Sequence, residues 1–211
     1  MMARSPRRVC TLFFFVFSAV CGSAFAASPA VTPDIIPPGQ CGRPLHRPMV
    51  PAFITIHSTD NTARSANAMH HAQAMRNGLR ARHNRSHFLT WHFTVDDHSI
   101  YQSLPTTETG EHADYEGPGN RSSIGIEMCV NRGNDIAKTI DRTAWLTARL
   151  MRQYHIPLSH VVPHMYWRMI RYSDRRDLGH KQCPRILLDH GQLGPKWKAF
   201  IAKVAFYSRQ P

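Results

Sequence analysis

The sequence predicts an α/β fold, a single domain with a central mixed β-sheet flanked by α-helices. Three features predict it. Short runs rich in apolar and β-branched residues, AFITIHST from Ala52, LTWHFTVDD from Leu89 and IGIEMCV from Ile124, have the length and composition of buried strands. Other stretches carry alanine, leucine and methionine at helical spacing. The two patterns alternate along the chain, which is the order of a layered α/β architecture.

Taken in order, residues 1–26 read as a secretory signal peptide. Arg4, Arg7 and Arg8 precede the apolar run CTLFFFVFSAV, and Ala24, Phe25 and Ala26 form a small-x-small cleavage site. The apolar run is too short to span a bilayer, so no transmembrane segment is expected and the location is secreted or periplasmic. Val20 stands where a lipoprotein would carry a small residue before Cys21, which argues against lipidation. Residues 27–51, dense in proline and glycine, read as an N-terminal arm, and the domain itself spans 52–208.

Within the domain, Phe53 to Ile56 form the first strand with His57 at its end. A helix is expected over 63–76, stopping at Asn77 and Gly78. Leu89–Asp97 is the next strand and Ser99–Leu104 its hairpin partner. The glycine-rich EGPGNRSS leads to a strand over Ile124–Val130. Asp141 is placed to cap a helix over Arg142–Tyr154. An arginine-rich loop follows HVVPH, and the tail from Arg185 to Ser208 reads as a helix or helix pair broken at Gly194 and Pro195.

The formal charge of +12 falls to +9 once the three signal-peptide arginines leave. Such a surface favours polyanions. The cations are spread along the chain, however, with no basic helix, zinc-finger spacing or RNP-like aromatic motif, so nucleic acid is not an expected partner. Cell-wall polymer, an anionic membrane surface and plain solubility remain open. Cys41, Cys129 and Cys183 are left after cleavage; three is odd, and whether Cys41 pairs with Cys129 also stays open.

Cys183 therefore needs company. Neutral imidazoles and a thiolate bind Zn²⁺ well, and a catalytic zinc needs only three protein ligands. His57 ends a buried strand and His164 follows the apolar Val161–Val162 at a similar position. On composition alone these histidines read as structural, since fourteen histidines make chance triples easy to draw.

The blocks ITIHSTDN at 54–61, WHFTVDD at 91–97, GNRSSIGIEMCVN at 119–131, VVPH at 161–164 and KQCP at 181–184 change that. Together and in this order they resemble the zinc-dependent N-acetylmuramoyl-L-alanine amidases of the type 2 amidase family, relatives of phage lysozyme-like amidases and peptidoglycan recognition proteins. The resemblance covers about residues 50–190. It implies a peptidoglycan-recognition-protein-like fold, with 52–208 as the zinc amidase domain, acting on peptidoglycan or muropeptides as a monomer. It implies His57, His164 and Cys183 as metal ligands, Glu127 as the catalytic acid and base, and Lys181 as the cation beside the developing oxyanion. His112, Trp91 and Asn61 are implied as substrate contacts. Trp91 has no hydroxyl, so stacking or packing is its expected role, and His92 is expected to point away from Trp91's side of its strand.

One departure stands out. Eighteen residues, Met165 to Gln182, separate His164 from Cys183, where the family has a short segment. His180 is accordingly a rival ligand to His164. Arg168, Arg171, Arg175 and Arg176 in this insertion can pair with carboxylates or anionic polymer, although a solvated basic loop is the plainer reading. The competing function is a peptidoglycan-binding module without catalysis, which would have no use for Cys183, Lys181 and Glu127 together.

Overall fold

Alternation along the central strands decides the architecture, because it gives the sheet one apolar face and one polar face. The computed structural model describes residues 28–81, 84–115, 117–171 and 173–210; the signal peptide expected over 1–26 lies outside the described residues. The chain forms β1 (Val31–Pro33), β2 (Phe53–Ser58), α1 (Ala68–Arg76), β3 (Arg80–Ala81), β4 (Asn84–Phe88), β5 (Phe93–Val95), β6 (Ile100–Gln102), α2 (Pro118–Ser122), β7 (Ser123–Met128), α3 (Ile136–Tyr154), β8 (Val161–Pro163), β9 (Arg168–Ile170), β10 (Asp177–His180) and α4 (Pro195–Ser208).

Six strands make the main sheet in the order β1-β6-β5-β7-β2-β8. It is mixed: β5 and β6 pair antiparallel as a hairpin, while β5 with β7, β7 with β2, β2 with β8 and β1 with β6 run parallel. Ile54, Ile56, Phe93, Val95, Ile124, Ile126, Met128 and Val161 form one buried cluster with Leu146 and Leu150 of α3 and Phe200 and Val204 of α4. Burying a side chain of this size stabilises the fold by about 1.5–3 kcal/mol. The intervening residues, Thr55, His57, Ser123, Glu127 and Thr94, are polar and also buried.

Local chemistry accounts for where the elements depart from expectation. α1 begins at Ala68, five residues later than the sequence suggests, because Asn67 caps it by accepting from the His70 amide at 3.0 Å. α3 begins at Ile136, where Asp135 accepts from the Lys138 amide at 3.1 Å. Asp141, the expected cap, sits inside α3 and ties it to α4 by accepting from Lys203 Nζ at 2.8 Å and Tyr207 Oη at 2.7 Å. The strand expected over 89–97 is regular only over β5. The arm is not merely a lead-in, since β1 adds an edge strand to the sheet.

The arginine-rich insertion is also not a loop throughout: β9 and β10 pair antiparallel, and Arg168–Asp177 and Arg171–Asp174 ion pairs neutralise two of its guanidinium groups. At its base the Met165 amide donates to Cys183 O at 3.1 Å and His180 Nδ1 donates to Met165 O at 2.9 Å. These bonds bring the ends of the insertion back together beside β2. The cysteines are free: Cys41 Sγ donates to Arg76 O at the end of α1, and Cys129 lies buried with its sulfur 4.0 Å from His71 Nδ1.

His92 is neutral in this core. Its Nδ1 accepts from the Gly125 amide at 2.9 Å and its Nε2–H donates to Glu108 O at 2.8 Å. Burial pushes its pKa down to about 4, against the opposing pull of that carbonyl bond. The depressed value means that the unfolded chain binds the proton more readily, so this stabilisation is complete above about pH 6.5 and is lost as pH falls toward 4. Denaturant midpoints of metal-free protein are expected to fall more steeply over that window than those of His92→Gln. Parallel profiles would contradict the assignment.

Candidate metal centre

On the polar face, parallel pairing sets His57 of β2 directly beside Glu127 of β7, one residue before each strand ends. His164 begins the short turn after β8, which is the neighbour of β2 on its other side. Cys183 arrives from the base of the insertion, its buried sulfur accepting from the Ser58 amide at 3.3 Å. Nitrogen and sulfur atoms of His57, His164 and Cys183 lie within 4.8 Å of one another, the one such group of three metal-ligating side chains among the described residues. His180, the rival, is exposed and engaged with Met165 O.

Hydrogen bonding fixes the tautomers. His164 Nε2 is 2.8 Å from Ala113 O and must donate to it, which leaves Nδ1 bare. His112 Nε2 donates to Ser123 O at 3.4 Å, so its Nδ1 accepts from His57 Nε2–H at 3.0 Å, and His57 Nδ1 is bare as well. The two bare Nδ1 atoms face each other at 2.8 Å. Two lone pairs at that distance repel unless a cation lies between them, and burial opposes adding a second proton to either ring. His57 and His112 are held well below the usual imidazole range by burial and by the neighbouring histidines, and His164 is pushed down to about 3 by burial and the Lys181 charge. Neutral imidazoles with converging lone pairs and a thiol form a donor set that fits a metal ion.

The acid groups complete the picture. Burial pushes Glu127 up to about 8, with Lys181 pulling the other way and Asp60 adding to the rise. Glu127 Oε1 is 3.8 Å from His57 Nδ1, and its buried Oε2 has no hydrogen-bond partner among the described residues. Burial and Glu127 push the Cys183 thiol up to about 12. Both groups are thus short of positive charge, the shortage that a bound cation relieves.

The remaining expected residues lie around this centre. Lys181 is exposed and borders two clefts. The first has a volume of about 180 Å³ and is lined by Leu89, His112, Tyr115, His164 and Met169 among others. The second, about 660 Å³, runs between the 58–66 loop and α1 and includes Asn61, Trp91 and Glu127. Trp91 is buried, packed with Ile36, Met75 and Leu104, and its Nε1 donates to Thr94 Oγ1 at 2.7 Å. His112 both borders the smaller cleft and holds His57 from behind.

Several supporting roles escaped the sequence reading. Ala113 acts through its carbonyl. Asn120 Oδ1 accepts from the amides of His112 and Ala113 at 2.9 and 2.7 Å, fixing both groups that hold the ligand histidines. Gly125 leaves room for the His112 ring, since a Cβ there would lie 2.8 Å from Nδ1. Only the glycine at this position in IGIEMCV carries a sequence signal, as a strand interior is a poor place for one.

A mixed-sheet α/β protein with three converging side chains able to hold a metal ion, beside a buried carboxylate, has the arrangement of a metal-assisted hydrolase. The sequence profile of the N-acetylmuramoyl-L-alanine amidase family matches residues 47–186, and the chain belongs to that family. Among its relatives, the N-acetylmuramoyl-L-alanine amidase CwlH of Bacillus subtilis is 41% identical over 180 residues, 84% of this chain and 62% of CwlH. The amidase XlyA of the same organism is 42% identical over 172 residues, 81% of this chain and 50% of XlyA. The chain thus spans between half and two thirds of the length of these curated relatives. The solved catalytic domain of XlyA superposes with a TM-score of 0.67 at 41% identity, covering 83% of this chain and 99% of that domain. PlyL superposes at 0.64 with 28% identity, covering 83% and 96%.

The clearance over Gly125 gives a direct test. Gly125→Ala should push the His112 ring off His57 and lower divalent-metal affinity about 10–100-fold in a competition titration. Unchanged affinity would show that His112 does not hold the ligand.

Proposed function

We propose that this chain is a zinc-dependent N-acetylmuramoyl-L-alanine amidase that hydrolyses the amide between N-acetylmuramic acid and L-alanine in peptidoglycan. The observation that carries this reading is the convergence of His57, His164 and Cys183 beside Glu127, in a chain belonging to the amidase family. A nitrogen–sulfur donor set of this kind suits zinc. His57, His164 and Cys183 would hold the ion, which supplies an acidified water and polarises the scissile carbonyl when bound.

The chain's own residues do the rest. Glu127 takes the proton from the attacking water and delivers it to the L-alanine nitrogen as the C–N bond breaks, leaving a lactyl carboxylate and a free amine. Its raised pKa keeps it exchanging protons near neutrality. Lys181 brings its ammonium to the edge of both clefts, where negative charge develops on the carbonyl oxygen. His112 orients His57. Trp91 and Asn61 lie along the larger cleft, Trp91 offering a ring face because its N–H is already engaged. A purely binding module would have no use for the buried carboxylate and the exposed lysine in these positions.

The signal peptide over 1–26 would direct the enzyme to the secreted or periplasmic space, where it would act as a monomer. Among the described residues no helix is long and apolar enough to cross a membrane.

Mass spectrometry of muropeptide digests tests the reading. Wild type is expected to release free stem peptide, with activity lost to chelator and restored by zinc. Glu127→Gln should retain zinc and lose about 10²–10⁴-fold in kcat, whereas Cys183→Ala should lose both metal and activity. Full turnover by either variant would sink the assignment.

A further inference from the structure

The larger cleft holds a group that the catalytic account does not use. His71 lies on the inner side of α1 and is only 9% exposed, yet it lines the cleft together with Trp91, Glu127 and Lys181. Its Nδ1 is 2.9 Å from Asn67 O, the carbonyl one turn back, and must donate to it. The neutral ring then carries a bare Nε2. That atom has no hydrogen-bond partner among the described residues, so an acceptor is left unsatisfied by protein on the wall of a cavity of about 660 Å³. Burial also lowers the pKa of this imidazole, against the Asn67 bond, which keeps Nε2 free of a proton.

The surroundings say what suits the acceptor. Cys129 lies behind the ring, its sulfur 4.0 Å from Nδ1, and the Trp91 ring stands at 6.3 Å between centroids. With its own N–H engaged, Trp91 presents only a ring face. Glu127 also lines this cleft, with its buried Oε2 left without a hydrogen-bond partner among the described residues. A ligand that fits this wall brings an N–H donor for His71 and a flat or apolar face for Trp91. Peptidoglycan offers the secondary amide, either in the acetamido group of its sugars or in its stem peptide.

We propose that His71 is a substrate-binding residue whose Nε2 accepts a hydrogen bond from a secondary amide N–H of peptidoglycan in the cleft between α1 and the 58–66 loop. The proposal rests on the amidase reading for the identity of the ligand. His71 touches no reacting atom, so it contributes to binding rather than to bond breaking.

The test is calorimetric binding of a defined disaccharide tetrapeptide to zinc-loaded protein in a Glu127→Gln background, where turnover does not interfere. His71→Phe keeps the ring volume and removes the acceptor, while His71→Gln places an oxygen near the Nε2 position. The expected result is a Kd about tenfold weaker for His71→Phe and largely recovered for His71→Gln. In otherwise wild-type protein the same loss should fall on KM rather than kcat. Repeating the titration with a ligand whose acetamido groups are replaced by hydrogen separates the two sources: if the His71→Phe effect vanishes, the acetamido N–H is the donor, and if it persists, the peptide amide is. Equal Kd values with and without the His71→Phe substitution overturn the proposal. Wild type that binds the ligand but releases no stem peptide would sink the amidase reading alone and leave the binding comparison to decide the role of His71.

Discussion

The site depends on two imidazole lone pairs held 2.8 Å apart inside the protein. Nothing in the pair itself favours that approach. It is imposed by two hydrogen-bond chains, one from His57 through His112 to Ser123 O and one from His164 to Ala113 O. Each chain fixes which nitrogen keeps its proton and so aims the other inward. Asn120 anchors the backbone of His112 and Ala113, and the missing side chain of Gly125 gives the His112 ring its place. The convergence of donor atoms is therefore set by the residues behind His57 and His164 as much as by those side chains themselves.

A buried polar face of this kind is expensive, and the opposite face of the same sheet offsets it. The apolar residues of β2, β5, β7 and β8 lie against α3 and α4, so the stabilising and functional faces share strands but not side chains. Most of the polar face is satisfied: Thr55 Oγ1 and Ser123 Oγ meet at 2.8 Å, and Trp167 Nε1 donates to Thr55 Oγ1 at 2.8 Å. One group at the site itself stands out. Glu127 Oε2 has no hydrogen-bond partner among the described residues, and its carboxyl is pushed toward the neutral form. The raised pKa of this carboxyl follows from burial with few partners.

Much of this was legible in the sequence because strand period is a strong signal. AFITIHST and IGIEMCV read plainly as buried strands, and the mixed sheet with flanking helices followed from the order of elements, whereas Glu127 came from the family resemblance and its place beside His57 from the strand pairing. Less legible were features decided by distant partners. The sequence pointed to Asp141 as the cap, whereas Asp135 takes that place and the position of α4 gives Asp141 its other task. The pairing of β1 with β6 joins segments far apart in the chain. The insertion after His164 looked like a loop because nothing local announces that Ile170 will pair with Asp177 and Arg168 with His180. A carbonyl such as that of Ala113 leaves no trace in residue type at all, and His71 resembled any other helical histidine until the cleft beside it was visible.

The central claim is that two imidazole nitrogens and one thiolate hold a single zinc ion. X-ray absorption at the zinc edge on the stoichiometrically loaded protein tests it most directly. The account predicts one sulfur at about 2.3 Å and nitrogen or oxygen scatterers at about 2.0–2.1 Å with an imidazole signature, and loss of the sulfur shell in Cys183→Ala. A shell made only of nitrogen and oxygen in the unaltered protein would contradict it.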